Sequence, residues 1–70
     1  MKDEIKKALK TKRYKLYHLA DQMGYTKAHL YNVLNKKHKA PKQFIFTLCA
    51  CINEMTGSTF TTEDFKEYTK

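Results

Sequence analysis

Tryptophan is absent from this 70-residue chain, which has only two glycines, one proline and two cysteines. Without tryptophan, four Phe and five Tyr must supply the bulky packing of a core. A single domain is expected, and one of this size buries only about 60% of its unfolded surface. No apolar run approaches the ~18 residues of a membrane-spanning helix. The amino terminus is charged from Lys2 onward and shows no apolar signal-peptide stretch, so a cytoplasmic protein is expected. Repeats and low-complexity tracts are also missing.

The scarce reactive residues are not arranged for chemistry. Cys49 and Cys51 lie two apart in an apolar segment with helical spacing, where they point to different sides; they suit neither a local disulfide nor a zinc clip and read as small hydrophobes. His18, His29 and His38 share no ligand-like spacing with each other or with the cysteines, so no metal or cofactor is expected. Carboxylates are few and gathered near the ends, and no Ser/His or Cys/His arrangement can be drawn. An enzyme is not expected.

What is abundant is positive charge. Fourteen Lys/Arg against seven Asp/Glu give a formal net charge of +7. From Lys6 to Lys42 there are eleven basic residues and one acid, Asp21; from Gln43 to Lys70 there are two lysines and four acids. That polarity favours a polyanionic partner. A membrane surface would call for a helix with a wide exposed apolar face, whereas the apolar residues here are spaced as a core.

Helical periodicity organises the chain around residues 16–35. Leu16, Leu19, Ala20 and Met23 recur at three- and four-residue steps, as do Leu30, Val33 and Leu34. Gly24 between them suits a turn that needs positive φ. Thr26 can cap the second helix, and Ala20 allows the two axes to approach closely. This is the pattern of a helix-turn-helix unit. Upstream, a helix over about 2–12 has Asp3 and Glu4 in its first turn, Lys10 and Lys12 in its last, and Ile5, Ala8 and Leu9 facing inward. Its Lys6, Lys7 and Lys10 either form a solvated face or lie over phosphates. Downstream, Lys36-Lys37-His38-Lys39-Ala40 is a basic loop closed by Pro41. A fourth helix follows from about 42 or 43 to Met55, with Phe44, Ile45, Leu48, Ile52 and Met55 on its apolar face, stopped by Thr56-Gly57. Phe60 anchors the next loop, and Thr62 caps a short fifth helix that ends near Tyr68 and docks through Phe65. Phe46 and Phe60 are candidate exposed apolar residues for contact with a second copy, as is the fifth helix; Phe46 alternatively lies at the edge of its own core.

The segment resembles the Cro/phage-repressor (XRE-like) helix-turn-helix family of DNA-binding regulators. The resemblance is carried by Leu19-Ala20, Gly24, Leu30, Val33 and Asn35, and more weakly by Ile45, Leu48 and Glu54-Met55-Thr56-Gly57. It implies an all-α, compact five-helix, lambda-repressor-like domain. Two positions depart from the family pattern: Leu16 stands where glutamine is frequent, and Lys36 where glycine is frequent, which implies a different exit from the helix. The loop after that helix is also two or three residues longer than usual in the family.

A recognition helix reads base edges with its N-terminal half and outward face, while cations and polar groups hold phosphates. With Leu30 and Val33 turned inward, Lys27, Ala28, Tyr31 and Asn32 face out. Asn32 can pair with adenine, Lys27 can donate to guanine, and Ala28 can touch a thymine methyl; the resemblance implies base contact at the same positions. Backbone contacts are expected from Lys15, Tyr17, Thr26, His29, Asn35, Lys36, Lys37 and Lys39. The expected partner is double-stranded DNA, bound as a homodimer on a palindrome, with no membrane and no small-molecule effector. The expected role is a small transcriptional regulator, a repressor by promoter occlusion; the resemblance points to phages and mobile elements. Two rivals are a DNA-bending, excisionase-like accessory factor and a protein-interaction module of helix-turn-helix shape.

Overall fold

The first helix, α1, spans Lys2–Thr11 and buries Ile5 and Leu9, four residues apart on one stripe. Its two acids near the start and Lys10 near the end complement the helix dipole. The computed structural model describes residues 2–70. Those residues are all-helical: α2 runs over Leu16–Met23, α3 over Lys27–Leu34 and α4 over Lys42–Thr56, followed by a 3-10 helix over Thr62–Tyr68. The longest element, α4, is the keel: α1, α2 and the 3-10 helix all pack on it, and α3 packs on α2. Leu19, Leu30, Phe44, Ile45, Leu48, Ile52 and Phe65 are completely buried at the centre. Among the described residues no helix is long and apolar enough to cross a membrane.

The helix ends explain how so short a chain turns so often. Three helices close with the same pair of backbone bonds. After α1, the Arg13 N–H donates to the Lys10 carbonyl (3.0 Å) and the Tyr14 N–H to Leu9 (2.9 Å). After α2, Gly24 donates to Asp21 (3.1 Å) and Tyr25 to Ala20 (3.0 Å); after α3, Lys36 donates to Val33 (3.0 Å) and Lys37 to Asn32 (2.9 Å). This is the Schellman pattern, and it requires a left-handed residue at each exit. The φ angles are 61° at Arg13, 80° at Gly24 and 62° at Lys36. Lys36, like Arg13, thus holds the left-handed conformation that glycine adopts without strain. Gly57, at φ 69°, closes α4 with a bond from its N–H to the Asn53 carbonyl (2.8 Å).

A left-handed side-chain-bearing residue costs about 1–2 kcal/mol. Arg13 is exposed and bears that cost. Arg13→Gly is expected to stabilise the fold by roughly 0.5–1 kcal/mol after glycine's extra unfolded-state entropy is subtracted. Thermal unfolding checks this; a lower melting temperature would contradict it.

Two boundaries at the carboxyl end differ from expectation. Thr61, not Thr62, precedes the last helix: its N–H donates to Asp64 Oδ2 (2.9 Å), the reach-back half of a capping box. The segment winds as a 3-10 helix and not as a turn of α-helix, with Phe65 and Tyr68 buried. The loop before it is pinned by Asn53, whose side chain donates to the Phe60 carbonyl and accepts from the Phe60 N–H, both at 2.8 Å. The chain end is then tied to the α3–α4 loop. The Ala40 N–H donates to the Tyr68 carbonyl (2.8 Å) and the Lys70 N–H to the Ala40 carbonyl (3.0 Å), making an isolated parallel bridge.

Candidate functional site

Leu30, Val33 and Leu34 anchor α3, each no more than 2% exposed. That burial fixes which residues face outward. Lys27, Ala28 and Tyr31 are exposed and Asn32 is half-buried. The start of the helix is set by Thr26, whose hydroxyl accepts the His29 N–H at 3.1 Å. With Gly24 two residues earlier, the link between α2 and α3 is short and fixed at both ends.

Helix α1 adds two cations to this face. Lys2 Nζ lies 4.7 Å and Lys6 Nζ 5.7 Å from the centre of the Tyr31 ring. Lys2 also donates to Asn35 Oδ1. Hydrogen bonding to Asn35, and then the charges of Lys2 and Lys6, hold the Tyr31 phenol below the ordinary tyrosine range. Next to this cluster lies an open depression of about 540 Å³ lined by Lys6, Leu16, Lys27, Ala28 and Tyr31. Its lining joins apolar Leu16 and Ala28 and the Tyr31 side chain to the two cations Lys6 and Lys27.

The remaining expected contacts divide into free and engaged groups. Lys37 and Lys39 are exposed in the loop, and Lys15, Tyr17 and Thr26 are exposed around α2 and the turn. His29 is exposed, but its ring stacks on Tyr25 (5.4 Å between centres) and lies 5.0 Å from Phe44, which ties the start of α3 to α4. Asn35 is half-buried and held by Lys2. Lys36 pairs with Glu67 at 2.8 Å and lies over the Tyr68 ring at 5.5 Å. That contact raises the Lys36 pKa and lowers that of Glu67, with the hydrogen bond as first cause in both.

The expected contacts omit Lys2, and Lys6 reads from periodicity first as part of a solvated face and only second as a phosphate contact. No local spacing signals their approach, which depends on how α1 lies relative to α3. Within the described residues no group of three or more His, Cys, Asp or Glu is placed to hold a metal ion. Cys49 and Cys51 are unpaired thiols, and burial pushes both above the ordinary cysteine range. Comparison with family models, curated proteins and solved structures found no match to this chain.

Proposed function

We propose that this protein binds double-stranded DNA with sequence preference, α2 and α3 acting as a helix-turn-helix of the lambda-repressor-like kind and α3 entering the major groove. The observation that carries the reading is the composition of one face: Lys27, Ala28, Tyr31 and Asn32 stand outward on a helix whose other side is sealed, with Lys2 and Lys6 gathered at its edge. Asn32 and Lys27 have the donors and acceptors to read base edges, and Ala28 the methyl to meet thymine. Lys2, Lys6, Lys15, Lys37 and Lys39 hold phosphates, with Tyr17 and Thr26 as neutral donors. A chain of this kind acts in the cytoplasm as a small repressor of the Cro type by covering a promoter, and two copies on a palindrome supply the contact area that one copy lacks.

Selection of bound sites from random duplexes tests the reading. Wild type should enrich a short motif. Asn32→Ala should relax preference at one base position, at a cost of about 1–3 kcal/mol in discrimination. Lys37→Ala should weaken all sites alike and flatten the salt dependence by about 0.9 in log–log slope. Equal effects from both would contradict the division between reading and holding; no enriched motif would contradict sequence preference.

Lys36 is a weaker clamp than its neighbours because Glu67 already occupies its ammonium group. The pair is exposed on both sides, at 2.8 Å, so Glu67 both holds the ammonium and sets a negative charge where a phosphate would lie. Glu67→Gln is expected to tighten DNA binding roughly five- to tenfold at ~0.1 M salt and to steepen the slope by about 0.9, the value of one more phosphate contact. Fluorescence anisotropy across a salt series checks this; an unchanged slope would contradict it.

A further inference from the structure

Phe46 is 65% exposed, the most exposed of the large hydrophobic side chains among the described residues, although it lies in the second turn of α4, the helix on which the core is built. Two hollows share it. One, about 350 Å³, lies between α4 and the 3-10 helix and is lined by Ile45, Thr62, Glu63 and Lys66 among others. The other, about 320 Å³, lies towards Phe60, with Cys49, Ala50 and Asn53 in its lining. An exposed aromatic flanked by two hollows, each larger than a phenyl ring, is a shape complementary to itself.

We propose that this face is where two copies of the chain associate, Phe46 of each entering a hollow of the other across a two-fold axis. Charge identifies the occupant as a second copy. Most of the surface repels another copy, since the chain carries +7 and eleven of its basic residues lie between Lys6 and Lys42. Beside Phe46 both signs occur: Glu63 lines the same hollow as Lys42 and Lys66, and the second hollow is lined by uncharged residues. Among the described residues none of these three takes part in an internal ion pair. A two-fold contact juxtaposes one patch with its own copy, so a patch carrying both signs can pair Glu63 of one chain with Lys42 or Lys66 of the other. A strongly acidic partner would be drawn to the basic face instead. None of the residues lining the depression beside Tyr31 lines these hollows, so a dimer leaves that face open.

The inference does not depend on the DNA reading, and its test contains no DNA. Sedimentation equilibrium of the whole chain, from about 10 to 500 μM at moderate salt, should show a reversible monomer–dimer equilibrium, weak as befits a small interface. Phe46→Ala should weaken association at least about tenfold, with an unchanged circular dichroism spectrum showing that the fold is kept. Glu63→Lys should weaken it, and adding Lys66→Glu to that variant should restore part of the loss. A wild type that stays monomeric throughout, or a dimer indifferent to Phe46→Ala, overturns the proposal.

Discussion

Phe44→Ala should leave the chain largely unfolded at 25 °C. The Phe44 ring is completely buried, 4.7 Å from the Tyr25 ring and 5.0 Å from His29. It therefore joins α4 to both the turn and the first residues of α3. Truncating a buried phenylalanine costs about 3–5 kcal/mol, and a core of this size rarely supplies more than roughly 3–5 kcal/mol in all. The control lies two residues away: Phe46→Ala on the same helix should change stability by less than about 0.5 kcal/mol, as at an open surface position. Urea unfolding followed by circular dichroism measures both. A cooperative Phe44→Ala transition less than about 1.5 kcal/mol below wild type would mean that the core reorganises around the gap.

The second large effect concerns the cations that α1 brings to α3. Replacing Lys2 and Lys6 together by Gln is expected to lower duplex affinity roughly fiftyfold at ~0.1 M salt and to flatten the log–log salt slope by about 1.8, the loss of two phosphate contacts. Lys7→Gln and Lys10→Gln, on the same helix but with no contact to the Tyr31 ring, should change affinity by less than the loss of one phosphate contact. The comparison separates position from total charge, because both pairs remove two charges from one helix. Equal losses from the two pairs would show that only net charge matters, and that Tyr31 does not mark an edge of the interface.

Much of the fold was legible because its signals are local. Thr26 before a helical stripe and Gly24 before Thr26 mark the turn between α2 and α3, and of the inward set Leu16, Leu19, Ala20, Met23, Leu30, Val33 and Leu34 all are buried but Leu16, which at the first position of α2 is half-buried. The exits at Arg13 and Lys36 were hidden for a physical reason: two backbone hydrogen bonds hold a left-handed residue there, and a basic side chain bears the cost that glycine would have avoided. The last helix is legible as a helix but not as 3-10, and Thr61 and Thr62 offer the same hydroxyl, so composition alone does not separate them as the cap. The convergence of Lys2, Lys6 and Asn35 on Tyr31, and the pairing of Lys36 with Glu67 across 31 residues, are tertiary facts with no local spacing. Phe44 and Phe46 differ most of all. Both are phenylalanines on one helix, yet one is fully buried and the other 65% exposed.

The most direct test follows backbone amide NMR signals of the labelled protein while duplex DNA is added at low salt. Shifts concentrated on Lys2, Lys6 and residues 26–37 are the expected result, with any at Phe46 and Glu63 matching those that self-association produces without DNA. Shifts that leave α3 unmoved, or none at a concentration of duplex that saturates non-specific basic proteins, would contradict the assignment of α3 as the DNA-reading helix.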